Sequence, residues 1–110
     1  MTYAFTVRVP LPIEVYDVSH AEILKSAGEE GADGLIVHMA RVLPDGFEVL
    51  EVWQSREQAD RFNREVVGPA LERLGMPADA PQPELTEFEP RVMMALQVYD
   101  SEASRQGVSP

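Results

Sequence analysis

The segment GLIVHMARVLPDGFEVLEVWQSREQADRF, Gly34 to Phe62, decides the fold. Leu35 to Leu43 and Phe47 to Trp53 are nearly continuously apolar, the pattern of strands covered on both faces. Between them, Leu43-Pro44-Asp45-Gly46 is a turn signal: proline presets φ at the first turn position and glycine is expected at a φ > 0 position. Ser55 followed three residues later by Gln58 is a capping box. Ala59, Phe62 and Val66 then form the inward stripe of a helix whose solvated face carries Arg56, Glu57, Asp60, Arg61, Arg64 and Glu65. The order is strand, turn, strand, helix.

Working outward, Thr2 to Val9 alternates, with Tyr3, Phe5, Val7 and Val9 on one face and Ala4, Thr6 and Arg8 on the other, which predicts a strand. Pro10 and Pro12 end it, and Pro12 suits the first turn of a helix. From Ile13 the period becomes helical: Ile13, Tyr16, His20, Ile23, Leu24 and Ala27 share a stripe that would dock on a sheet, and Gly28 stops it. Beyond Phe62, Gly68-Pro69 is expected to break the helix, with a short further turn over Pro69 to Leu74 stopped by Gly75. A proline-rich loop, Met76 to Pro83, leads to a last short strand at Glu84 to Phe88.

Strand–helix–strand twice over predicts an α+β, ferredoxin-like βαββαβ fold for residues 1–90. Its four-stranded antiparallel sheet would carry both helices on one face. Residues 91–110 form a C-terminal extension. Val92 to Tyr99 is apolar enough to pack, as strand or helix, and the chain from Asp100 is expected to fray. Helices cover one sheet face only, yet the middle strands are apolar on both. A second copy across a two-fold axis is therefore the expected partner, giving a dimeric α+β barrel.

Bulk properties exclude several function classes. With 9 basic and 19 acidic residues the net charge is −10, which disfavours nucleic acid. No apolar run approaches the roughly 20 residues of a membrane span. The N-terminus lacks the marks of a signal peptide, so a cytoplasmic protein is expected. The absence of cysteine removes disulfides, thiolate catalysis and thiolate metal sites. His20 and His38 fall in different elements without metal-ligand spacing, so a dedicated metal site is not expected.

Tyr16-Asp17, Gly34-Leu-Ile-Val-His38, Asp45-Gly46-Phe47, Val52-Trp53-Gln54-Ser55, and Phe62 followed by Gly68-Pro69-Ala70-Leu71 resemble small actinobacterial proteins of the dimeric α+β barrel superfamily. The nearest named relatives are the antibiotic biosynthesis monooxygenase domains. The resemblance spans roughly residues 3 to 90. It implies a pocket between sheet and helices in each subunit, and oxidation of polyketide anthrones by molecular oxygen without metal or flavin. It also places Trp53 where the monooxygenases carry a tryptophan at the end of the third strand. The first-strand asparagine that several of those enzymes use is absent, and Thr6 and Arg8 stand in that strand. Haem-degrading members bind iron through a histidine of the second helix, and residues 55–67 contain none.

His38 is a lone histidine in an apolar strand. An imidazole, with an ordinary pKa of about 6.5, can take a proton from a phenol or an activated carbon acid at neutral pH. It equally suits a core histidine bonded to a neighbour. Glu51, set among Val49, Leu50, Val52 and Trp53, is a second candidate base, since burial favours a protonatable carboxyl. The alternatives are pairing with Arg41 or Arg8, or exposure. Trp53 reads as a stacking platform or a core anchor. Tyr16, His20 and Phe62 point from the helices toward the sheet as pocket lining or core, and Arg8 or Arg41 could hold developing negative charge.

The hairpin register decides which of these meet. A two-residue Asp45-Gly46 loop puts His38 opposite Trp53, with Glu51 on the same face. A three-residue Pro44-Asp45-Gly46 loop puts Val37 opposite Trp53 and turns His38 away. Pro-Asp-Gly chemistry favours the three-residue loop, although a bulge farther along could restore the shared face.

Two functions follow. The first is a cofactor-independent monooxygenase, or a related isomerase or cyclase, acting on an aromatic or polyketide-like molecule with His38 or Glu51 as base. The second is a non-catalytic dimer that binds a small aromatic ligand or serves a neighbouring enzyme.

Overall fold

A computed structural model describes residues 2–76 and 82–94. Strand β1 (Tyr3–Val9) is followed by helix α1 (Ile13–Ala27), strands β2 (Leu35–Leu43) and β3 (Gly46–Trp53), helices α2 (Arg56–Phe62) and α3 (Gly68–Arg73), and strand β4 (Glu84–Phe88). The sheet is antiparallel with order β2-β3-β1-β4, the ferredoxin-like arrangement that the two interleaved βαβ units demand. Residues 77–81 of the proline-rich loop lie outside the described residues. So do residues 95–110, and with them most of the segment expected to pack up to Tyr99. Among the described residues no helix is long and apolar enough to cross a membrane.

The turn between β2 and β3 departs from both expected loops. Leu43 pairs with Gly46, so the two-residue loop is Pro44-Asp45, and Gly46 is the first residue of β3 without a positive φ. Its lack of a side chain serves a different purpose: a Cβ there would overlap the carbonyl oxygen of Val9 at the end of β1. Glycine is needed for close strand approach rather than for turn geometry.

Helix α2 begins as expected, with the Ser55 hydroxyl accepting the Gln58 backbone N–H at 3.2 Å. Gly68-Pro69 does not break the helical path. A π-helical turn over Asn63–Val67 lets the Gly68 N–H reach the Asn63 carbonyl. Pro69 then falls in the first turn of α3, where its missing N–H has no partner to lose.

Helix α1 ends at Gly28, which adopts a φ of 64°. It has no buried residue, and Leu24, expected on the inward stripe, is 59% exposed. The helix turns Tyr16 and His20 to the sheet, and Arg73 of α3 holds it through Glu22 and Ser26.

Because neighbours in a ladder share a face, the register sorts the sheet. The helix-facing side carries Tyr3–Trp53–Leu35, Phe5–Glu51–His38, Val7–Val49–Ala40 and Val9–Phe47–Val42. The other side carries Phe88–Ala4–Val52–Val37, Thr86–Thr6–Leu50–Met39 and Glu84–Arg8–Glu48–Arg41. Trp53, Phe47 and Ala59 make the buried centre under the helices. On the other side Ala4 and Val52 are buried, while Met39 and Phe88 are exposed.

Candidate functional site

The observed register brings His38 directly opposite Glu51 on the helix-facing side. A bulge between Leu35 and Val37 then sets Leu35, rather than Val37 or His38, against Trp53. Glu51 and Trp53 are two residues apart on β3, so they share that face. His38, Glu51 and Trp53 therefore do meet, through a pairing that neither expected loop contained.

They meet as a hydrogen-bonded chain. The Glu51 carboxylate accepts from Trp53 Nε1 at 2.9 Å through one oxygen and from His38 Nδ1 at 2.7 Å through the other. A hydrogen on Nδ1 leaves Nε2 of the neutral imidazole as acceptor, and the Tyr16 hydroxyl lies 2.7 Å from it. Tyr16, at the second turn of α1, thereby closes a line that runs phenol, imidazole, carboxylate, indole. His38 and Glu51 keep side-chain exposures of 25% and 17%, so the centre is sheltered but within reach of solvent. Among the described residues no buried side-chain polar atom lacks a partner.

Aromatic rings frame this line. His20, one helical turn beyond Tyr16, lies over His38 with centroids 5.2 Å apart and planes 12° from parallel. Tyr16 is near-parallel to both imidazoles, and Phe47 meets Tyr16 edge-on at 5.7 Å. Trp53 is 1% exposed and packs against Phe62 of α2 at 5.5 Å. Its body anchors the core while its N–H serves the site, so the two readings of Trp53 coincide.

Arg8 and Arg41 are elsewhere. Glu48 and Glu51 are three residues apart on β3 and so face opposite ways. Both arginines pair with Glu48, at 3.3 Å and 2.8 Å, on the side away from the helices. That pairing, Arg41 foremost, holds the Glu48 carboxyl below its ordinary range. Neither arginine can stabilise charge at His38, and neither pairs with Glu51. Sequence periodicity passed over Phe47, whose alternation with Glu51 and Trp53 along β3 was the available signal.

Burial, then the Glu51 and Asp17 charges, pushes the Tyr16 phenol up, so it acts as a neutral hydroxyl. Burial, then the neighbouring His38, pushes His20 down against the opposing pull of Asp17 and Glu51. Among the described residues no cluster of three or more histidine and carboxylate groups could hold a metal. Two surface hollows lie away from the centre. One, of about 640 Å³, runs along the outer face of α2 by Arg56, Asp60 and Arg64. The other, of about 340 Å³, lies between Pro10–Glu14 and the β2–β3 turn.

Several solved structures share this architecture. A protein from Bacteroides thetaiotaomicron, provisionally named an antibiotic biosynthesis monooxygenase, superposes with a TM-score of 0.65 at 14% identity, covering 88% of this chain and 96% of that one. A similarly named protein from Chloroflexus aurantiacus gives 0.62 at 18%, covering 88% and 100%. SnoaB, a cofactor-independent oxygenase from Streptomyces nogalater, gives 0.61 at 16%, covering 84% and 96%. The chain has the antibiotic biosynthesis monooxygenase-like α+β fold. No family model matches the sequence, and no curated protein does. At these identities the monooxygenase-like likeness is one of architecture.

Proposed function

We propose that this protein is a cofactor-independent monooxygenase, or a related proton-transfer enzyme, acting on a small aromatic carbon acid. One observation carries the proposal: the imidazole of His38 has a carboxylate on one nitrogen and a phenol on the other. A proton arriving at the Tyr16 oxygen can pass, as the phenol's own proton moves on, to Nε2. The imidazolium so formed faces the Glu51 carboxylate. Substrate C–H cleavage leaves its electron pair on carbon. Dioxygen takes one electron from that carbanion, the radical pair combines into a peroxide, and loss of water gives the carbonyl. In sum, a methylene and one dioxygen become a ketone and one water. The likeness in fold to SnoaB supports the choice of oxygen as the second substrate.

The functional unit in this reading is a homodimer through the side of the sheet away from the helices. Met39, Leu50, Val37 and Phe88 supply its apolar centre and the Arg8–Glu48–Arg41 row its polar rim. A clean monomer by analytical ultracentrifugation at micromolar concentration would overturn this part.

A second reading, a non-catalytic dimer that binds a small ligand, is favoured by a separate observation. The four polar groups of the hydrogen-bonded chain already satisfy one another, and the hollows by Arg56–Arg64 and by Pro10–Glu14 lie elsewhere. Aerobic incubation with a model anthrone, following oxygen uptake and quinone absorbance, separates the two. The enzyme reading expects turnover that falls by about 100-fold or more in His38→Ala. Equal rates in both proteins would remove His38 from the chemistry, and no turnover would leave the binding reading.

A further inference from the structure

Both ring nitrogens of His38 are engaged, Nδ1 by Glu51 and Nε2 by Tyr16. His20 lies against it, ring over ring, and among the described residues neither of its nitrogens makes a hydrogen bond. The imidazole with uncommitted acceptor capacity is therefore the helix one, which is partly exposed. Turning a methylene into a ketone also needs more than one proton station. The first C–H proton must leave, the peroxide must be protonated, and the second C–H proton must leave as the O–O bond breaks and water departs. That last step asks for a base and an acid together.

We infer that His20 is a second catalytic residue, the free base of a two-histidine acid–base pair whose proton-carrying member is His38. This rests on the monooxygenase reading above. The pair cannot carry two charges cheaply, because the rings lie 5.2 Å apart. Glu51 on β3 is hydrogen-bonded to His38, so an imidazolium there faces a carboxylate at 2.7 Å, whereas burial, then the neighbouring His38, favours the neutral form of His20 against the pull of Glu51. The other groups facing His20 are Tyr16, which stays a neutral phenol, and Asp17, whose pull toward protonation is outweighed by burial and by His38. In the elimination, His20 takes the carbon-bound proton, and the C–H electron pair becomes the second bond of the carbonyl. The relay's one proton, taken from the first C–H bond, has already protonated the peroxide. As the O–O bond breaks, the departing hydroxide therefore takes the proton that His20 has just received, giving water and leaving both imidazoles neutral. Environments that push two titratable groups apart are how one site supplies acid and base at one pH.

Two measurements test it. In the wild-type protein, acylation by diethyl pyrocarbonate, read residue by residue by mass spectrometry, should modify His20 about 10-fold or more faster than His38. Equal rates would overturn the free-and-held distinction whatever the turnover. With a model anthrone, His20→Gln should lose about 100-fold in kcat with little change in KM, and should alter the acidic limb of the pH profile. Wild-type turnover with an unchanged His20→Gln profile would overturn the inference and leave the monooxygenase reading standing. Absence of wild-type turnover would overturn that reading and this inference with it.

Discussion

Replacing Glu51 by alanine removes a carboxylate that serves two donors at once. Trp53 Nε1 has Glu51 as its acceptor and belongs to a side chain only 1% exposed. Left without a partner, that buried N–H costs about 1–3 kcal/mol. The His38 Nδ1–H loses its acceptor too, but at 25% exposure water can take over, for a net loss of about 1 kcal/mol. The sum, about 2–4 kcal/mol, is a large share of the roughly 5–15 kcal/mol that holds a domain together. Glu51→Gln should fare better. Its amide oxygen can keep the Trp53 bond, while its NH2 forces His38 into the tautomer that accepts at Nδ1 and donates from Nε2 to the Tyr16 oxygen. That reversal costs about 1 kcal/mol and removes the acceptor at Nε2. Urea unfolding at neutral pH, followed by the fluorescence of the single tryptophan, gives both values. The expected order is wild type, then Gln, then Ala. An alanine variant within about 0.5 kcal/mol of wild type would refute the account, because that is the range of surface substitutions. A glutamine variant as unstable as alanine would show that the Trp53 N–H is not the source.

Three further outcomes are expected. Burial, then the hydrogen bond to Glu87, raises the Tyr3 phenol to about 12. Its folded value lies above the unfolded one, so its contribution to stability is whole below pH 10 and is lost as pH rises through 12. The phenolate absorbance step near 12 should vanish in Tyr3→Phe, and a step that persists would contradict the assignment. His20 is lowered, so below pH 6.5 the unfolded chain binds the proton first and stability falls toward acid. His20→Gln should flatten that slope in urea titrations between pH 5 and 7, and an unchanged slope would place its origin elsewhere. Gly46→Ala should cost about 1–3 kcal/mol through overlap with the Val9 carbonyl. Gly75→Ala, which meets nothing within 4 Å, should cost about 1 kcal/mol through its φ of 73° alone. The reverse order would refute the close-approach role of Gly46.

Much of the architecture was legible in the chain. Period two over Tyr3–Val9, the Ser55–Gln58 cap and the two apolar runs either side of Leu43-Pro44-Asp45-Gly46 each depend on neighbours within a few residues, so they can be read locally. The candidate site was legible as a list containing His38, Glu51, Trp53, Tyr16, His20 and Phe62, with Phe47 overlooked. Arg8 and Arg41 show the limit. Their charge invited a role at the site, and only strand parity relative to Glu48 places them on the opposite side of the sheet. Leu24 shows the same limit on α1, where a helical stripe wider than the available sheet leaves its margin in solvent.

By itself, then, the sequence determined the elements, their order and the βαββαβ plan, because periodicity, caps and turn residues act over short range. The tertiary structure alone decided which residues face one another. Alternative loops around Pro44-Asp45-Gly46 share similar turn chemistry, and a slip of one residue turns a whole strand over. The choice is made where Gly46 lies against the Val9 carbonyl and where the bulge at Leu35/Val37 shifts the partner of Trp53. Both are contacts between strands, and together they place a phenol, an imidazole, a carboxylate and an indole in one line.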